Sequence, residues 1–313
     1  MTGPPDAQAV FGRPLRPDPT VALTQAGWRM PRPDSPLAIG VRYVIELVGD
    51  RSVEAGAIRL LLGDDWQRAL GKPSVWVMSG SDNAWRLLGP EDVTPHFDSI
   101  ALTWDIVQGD QALSNASGSH LEKACEDLAR AIGRRAVAVP RPEDLEGMAR
   151  NLCQIRDSLD IGCEFGVVAP AGHGLSEREI WLAAADLGFV YAPTGLFEFR
   201  VPNWPLPVLT IQSWGDTARF SLEGAANRAS YPAVGVGFSV PLSPDPETAF
   251  RCCLAAVRHL AEKAGGTVVD EDENPLTDKA RLRMEEGLFA GLSALQKAGV
   301  PAGSHAARAL FAP

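Results

Sequence analysis

The feature that most constrains the fold is an order of elements that occurs twice. Residue patterning over 161–297 predicts a strand (Ile161 to Ala169), a helix (Glu177 to Leu187) and strands at Phe189 to Phe199, Val208 to Ser213 and Val234 to Val240. A helix (Glu247 to Ala264), a strand (Thr267 to Asp270) and a helix (Asp278 to Lys297) follow. The upstream half repeats the order. It has a strand (Leu37 to Val48), a helix (Glu54 to Leu70) and strands at Val75 to Ser79, Trp85 to Leu88 and Ile100 to Val107. A helix (His120 to Ile132), a strand (Arg135 to Val139) and a helix (Glu143 to Arg156) complete it. Residue identity between the halves is weak, so the repeat rests on order and spacing. A repeated unit implies two domains of similar plan rather than one large catalytic fold, and 313 residues suffice for two.

The strands alternate. In Leu37, Ile39, Val41, Tyr43, Ile45 and Leu47 the odd positions are apolar, while Arg42 and Glu46 point away. Ile161, Cys163, Phe165 and Val167 alternate with Gly162, Glu164 and Gly166. Alternation means one covered face and one open face. The fold class expected is therefore α+β, with largely antiparallel sheets, helices packed on one face and two such repeats in tandem. The open sheet face is the natural binding surface.

The helix from Glu247 buries one stripe (Phe250, Cys253, Leu254, Val257, Leu260, Ala261, Ala264) and wets the other (Arg251, Arg258, Glu262, Lys263). Gly265-Gly266 stops it. Capping boxes at Ser119-x-x-Glu122 and Ser176-x-x-Glu179 predict two helix starts, and Gly133 and Gly188 the corresponding ends.

Net charge is −10 with no Lys/Arg run, which argues against nucleic acid or an anionic membrane surface as partner. The five cysteines (Cys125, Cys153, Cys163, Cys252, Cys253) are odd in number and lack a C-x-x-C spacing, so they read as reduced core thiols in a reducing compartment. No stretch supplies the ~20 apolar residues of a membrane span, and none reads as a signal peptide. The first 36 residues, rich in Pro and Arg, predict an extended or poorly ordered arm, with Trp28 and Met30 as its anchors.

Catalytic patterns are absent from the sequence. No phosphate-binding glycine motif occurs. The five histidines (His96, His120, His173, His259, His305) form no zinc-type pair, so neither a metal site nor a cofactor is expected. Asp270-Glu271-Asp272-Glu273 lacks the glycine-turned spacing of a calcium loop and reads as a solvated connection. Aromatic residues are more suggestive. Trp76, Met78, Trp85 and Trp104 lie on predicted strands of the first half, and Trp204 and Trp214 on or beside strands of the second. Strand tryptophans usually serve the core. Trp76, Met78, Trp85 and Trp104 are also candidates for a partner-binding face, where aromatics are favoured.

The stretch from Phe250 to Asp270, with its helix, Gly-Gly stop, Val-rich strand and acidic turn, then the Thr277-started helix, resembles the carboxy-terminal domain of the ZipA family of bacterial cell-division proteins. Leu187-Gly188-Phe189, Pro207-Val208-Leu209 and Gly235-Val236 extend the resemblance over Ile161 to Leu292. The closing segment from Ser304 to Phe311 is similar to the tail of longer members. Together with the repeat and the composition of the first 36 residues, the resemblance gives an expected plan of 1–36 as an arm, 37–158 as a divergent ZipA-like domain, 159–300 as the ZipA carboxy-terminal-like domain and 301–313 as a tail. It implies a non-enzymatic adaptor whose open sheet face binds the carboxy-terminal tail of FtsZ or an FtsZ-associated protein. The expected location is cytoplasmic, at the division septum on the inner face of the cell membrane. At the family's grip positions stand Gly162, Thr194, Leu196, Ser213, Gly215, Gly237 and Ser239, of which only Leu196 is large and apolar. Two other readings stay open. One is a peptide-binding module of this fold with a different protein partner. The other is a small-molecule binder or enzyme with a site between the halves, using His96, His173 and the Asp270 to Glu273 run.

Overall fold

The computed structural model describes residues 7–31, 40–61, 63–80, 84–89, 94–214 and 219–312. The chain divides into two compact units, one of Pro33–Ser158 with His305–Pro313, the other of Met1–Arg32 with Leu159–Ser304. They are called here the first and second unit, in the order of their sheets. Both are α+β, and every strand ladder among the described residues is antiparallel. The chain opens with a short helix, α1 (Ala7–Phe11), which belongs to the second unit.

The first unit runs β1 (Arg42–Val48), β2 (Val53–Glu54), α2 (Ala55–Leu61), α3 (Asp64–Ala69), β3 (Ser74–Met78), β4 (Arg86–Leu87), β5 (His96–Phe97) and β6 (Ser99–Asp105). Then come a small hairpin of β7 (Val107–Gln108) and β8 (Gln111–Ala112), α4 (Asn115–Ala131), β9 (Arg135–Val139), a 3-10 turn (Pro142–Asp144) and α5 (Leu145–Leu159). The sheet order is β4-β3-β6-β1-β9. Tyr43, Ile45 and Leu47 of β1 face α4 and are all but inaccessible, paired across β6 with Trp104, Leu102 and Ile100. Tyr43 completes its burial by donating its hydroxyl to the Gly118 carbonyl of α4 at 3.0 Å.

The second unit runs β10 (Gly162–Val168), β11 (Leu175–Ser176), α6 (Glu177–Leu187), β12 (Val190–Tyr191), β13 (Phe197–Phe199), β14 (Leu209–Ser213), α7 (Leu222–Ala226), β15 (Ser230–Tyr231) and β16 (Ala233–Ser239). It finishes with α8 (Pro246–Ala264), β17 (Thr267–Val269) and α9 (Asp278–Lys297). Its sheet order is β12-β13-β14-β16-β10-β17. Phe165 meets Phe250 of α8 edge-on at 5.5 Å, and the Cys253 thiol donates to the Val236 carbonyl. Burial pushes the Cys163 thiol up to about 12 and raises that of Cys253 well above its ordinary value, as expected of inert core thiols. The last helix, α10 (His305–Phe311), belongs to the first unit.

The sheets correspond on one side. β6-β1-β9 and β16-β10-β17 have the same order, each edge strand follows a long helix, and each first helix is preceded by a two-residue ladder (β2 with β5, β11 with β15). They differ on the other side. β3, the earlier strand of its hairpin, lies next to β6, whereas β14, the later strand of its hairpin, lies next to β16.

Several predicted boundaries shift. The expected cap at Ser119 is replaced by Ser114, whose hydroxyl accepts the Ser117 N–H at 3.0 Å. Reciprocal bonds between Asn115 and Glu146 hold that earlier start. Ser176 does cap α6 by position, but its hydroxyl makes no capping bond. The single helix expected over Glu54 to Leu70 is two short ones, and the strand expected over Phe189 to Phe199 is a hairpin turned at Gly195 (φ +83°). Residues 37–39 of the first expected strand lie outside the described residues. The Asp270 carboxylate is buried, accepting the Asp272 and Asn274 N–H groups, while Glu271 to Glu273 are exposed.

Among its described residues, 7–31, the arm lies along the second unit. Phe11 packs against Trp181 with Arg178 over its ring, and Asp18 and Leu23 donate backbone N–H groups to Asp186 and Leu187. Trp28 is buried against Phe199; Met30 is exposed. Arg29 bonds Asp245, the cap of α8, through its guanidinium at 3.1 Å and through its backbone N–H. Burial alone would raise the Asp245 pKa, but the Arg29 and Thr248 donors outweigh it and hold it below the usual carboxylate range. A depressed folded value gives stability that is complete above the unfolded pKa of about 4 and lost as pH falls through the folded one. Asp245→Asn keeps a competent cap, so it isolates the charge. It is expected to cost about 1–2 kcal/mol at pH 7. Melting curves should show this difference from the parent shrinking as pH falls from about 5 towards 2.

Candidate partner-binding face

The second sheet has a face opposite α8, and its chemistry follows from alternation. Where Cys163, Phe165 and Val167 turn inward, Gly162, Glu164 and Gly166 turn the other way. Across β16 they meet Ser239, Gly237 and Gly235, and on β14 the same side carries Thr210 and Gln212. Gly162 and Gly166 on β10, with Gly235 and Gly237 on β16, thus leave a floor of four positions on this face without side chains.

Part of that floor is already covered. The Trp214 indole lies flat on it, since a Cβ at Gly166 would stand 2.4 Å from the ring and one at Gly235 2.5 Å from its Nε1. Glu164 folds over the same strand, with its Oε1 accepting from Gln212 at 3.0 Å and lying 1.9 Å from where a Gly235 Cβ would be. Gly166 and Gly235 are therefore required by close approach. Gly162 is different, because a Cβ there meets nothing within 4 Å. Beside it, the Ser239 hydroxyl is buried with no hydrogen-bond partner among the described residues. This end of the floor adjoins a cavity of about 320 Å³ lined by Gly162, Cys163, Asp270, Asp272, Arg283 and Met284.

Of the sequence-derived grip positions, Gly162, Gly237 and Ser239 come together on this face, Gly162 and Ser239 as direct partners. Leu196, half-buried, precedes β13 in the same alternation as Glu198. Thr194 is exposed in the turn of the β12–β13 hairpin. Ser213 pairs with Val234, so it alternates towards the helices rather than to this face. Gly215 lies outside the described residues. Trp214, Glu164 and Gln212 were not among the grip positions. The available signal was glycine on one side of β10 (Gly162, Gly166) and of β16 (Gly235, Gly237), which marks strands approached closely from one side.

In the first unit, Trp76 and Met78 are half-buried and alternate away from α4, and the Trp76 indole donates to Thr103 Oγ1 at 3.2 Å. Trp85 is half-buried just ahead of β4. Trp104 is a core residue, with its indole N–H donating to the Leu70 carbonyl. His96 sits exposed on the β2–β5 ladder and His173 exposed in the turn before β11. Among the described residues no three His, Cys, Asp or Glu side chains gather as metal ligands, and no helix is long and apolar enough to cross a membrane.

No curated protein matches this chain. Residues 163–286 match the family model described as ZipA, C-terminal FtsZ-binding domain. They span the second sheet from β10 to β17 and run into α9, so this part of the chain is similar to the ZipA carboxy-terminal domain.

Proposed function

We propose that this chain is a non-enzymatic cell-division adaptor that binds FtsZ, through its carboxy-terminal tail, or an FtsZ-associated protein, acting at the division septum. The match over residues 163–286 carries this reading. The end of this face that is open at Gly162, with Gly237 and Ser239 beside it and Leu196 at its edge, is the surface proposed to receive the tail. The correspondence of the two sheets at β6-β1-β9 and β16-β10-β17 supports reading the first unit as a divergent copy of the second.

Fluorescence anisotropy with a labelled FtsZ tail peptide tests the reading. Binding weaker than about 0.5 mM, with the chain folded, overturns it. Gly162→Ile should fill open space at little cost in stability and weaken the peptide at least about tenfold, or 1.4 kcal/mol, by occupying the floor.

A second reading keeps the fold and changes the partner, and the open space above Gly162 favours it. A glycine floor offers less apolar area than one lined by large side chains and admits another extended backbone. In-cell crosslinking decides, because recovery of FtsZ as the dominant partner removes this alternative.

A further inference from the structure

Arg42, the first residue of β1, is 4% exposed although it alternates with Val44 to the face opposite α4. Among the described residues that meet its guanidinium are Trp76, Asp105 and His305. Trp76 lies beneath it at 5.4 Å, a cation–π distance. Asp105, its cross-strand partner on β6, stands 3.6 Å from Nε. His305 bonds it from the far end of the chain and reaches the Asp105 carboxylate at 3.3 Å. His305 opens α10, which lies alongside β7 and buries Ala306, Ala307 and Leu310.

A helix of seven residues does not hold its shape alone in water. α10 is therefore helical because it is docked, with a hydrogen-bonding group at its first residue and small apolar residues behind. That is the pattern of a short helix held as a peptide in a receptor groove.

The geometry points to the Arg42–Asp105–Trp76 end of the first sheet as a docking site for a short helical segment, with residues 305–311 of this chain as its resident, releasable occupant. A buried arginine needs its charge and donors matched, and Asp105 on one side and the His305 ring on the other contribute to that match. Release of the segment would uncover the Arg42 guanidinium and the Asp105 carboxylate that His305 now meets. The inference does not depend on FtsZ as partner.

The test uses a chain ending at Ser304 and a labelled synthetic peptide of residues 305–312. Saturable binding is expected by anisotropy. Trp76→Ala in the chain, or alanine for His305 in the peptide, should each weaken it about tenfold. In the full chain, His305→Ala should speed hydrogen exchange at residues 306–311 about tenfold while β1 and β6 stay protected. Absence of peptide binding to the folded shortened chain overturns the proposal. So does unfolding of the first unit on removal of the segment, which would make α10 a core element. Unchanged exchange in the His305→Ala chain also overturns it.

Discussion

Glu177→Ala is expected to destabilise the second unit by about 3–4 kcal/mol. Glu177 is the first residue of α6 and is completely buried. Its Oε1 accepts the Ser221 N–H at 2.5 Å and its Oε2 the Tyr231 hydroxyl at 3.1 Å. Gly224 in α7 leaves room for it, since a Cβ there would lie 1.9 Å from Oε2. Burial first, and then the Glu177 charge, raise the Tyr231 pKa, so the phenol stays a donor. Alanine would strand both donors in the interior and remove the tie between α6 and the segment leading into α7. At about 2–4 °C per kcal/mol for a unit of this size, melting should fall by roughly 6–15 °C. Glu177→Gln retains the acceptor for Ser221 and should recover about half of the loss. Chemical denaturation of both variants checks this, and an alanine variant within about 1 kcal/mol of the parent would show the contact to be dispensable.

Arg134→Met should cost the first unit about 4 kcal/mol, with a melting decrease of more than about 10 °C. Arg134 follows α4 and is almost wholly buried. Its guanidinium donates to three backbone carbonyls, those of Leu47 at 2.7 Å, Arg51 at 2.6 Å and Asp98 at 2.8 Å. It thereby joins the end of β1 to the following loop and to the start of β6. Burial lowers its pKa, and the nearby Asp98 and Glu46 charges oppose that shift. Methionine keeps the apolar stem and leaves the carbonyls unpaired. Lysine should rescue little, because one ammonium cannot reproduce a planar fork aimed in three directions. Gly49 belongs to the same arrangement, as a Cβ there would stand 2.7 Å from Arg134 Cγ. Thermal melting of Arg134→Met, Arg134→Lys and Gly49→Ala tests this, and a lysine variant as stable as the parent would refute the geometric argument.

The elements whose signals are local were legible in the sequence. Helix α8 announced itself by its stripe, and Phe250, Cys253, Val257 and Leu260 are buried as that stripe requires. Gly265 and Gly188 end their helices in the left-handed conformation, and Thr277 caps α9 through the Ala280 N–H. The misread positions are those where a distant residue overrode a local rule. Gly118 lies inside α4 because Leu145 and Pro142 pack where its side chain would be, so the helix starts a turn earlier than the Ser119 box suggested. Glu177 and Arg134 carry charge, which in a sequence reads as surface. Their partners, at Ser221 and Tyr231 in one case and Leu47, Arg51 and Asp98 in the other, lie 36 to 87 positions away.

The candidate face divides the same way. Period-two alternation on β10 and β16 determined that Gly162, Gly237 and Ser239 share a side, because successive strand residues must point to opposite faces. It could not show that Trp214 and Glu164 would fold down onto the glycines. That depends on which strands become neighbours, and β14 lies beside β16 only through long-range pairing. Which unit each end of the chain joins was likewise undecided by sequence. The arm is held to the second unit by Arg29 on Asp245, 216 positions away, and α10 to the first by His305 on Asp105, 200 positions away. By itself the sequence determined the α+β class, the alternating strands and the long helix α8, because periodicity, caps and turn residues act within a few positions. Tertiary structure alone decided the filled part of the floor, the buried charges and the destination of the two ends, because those contacts form only once distant segments have met.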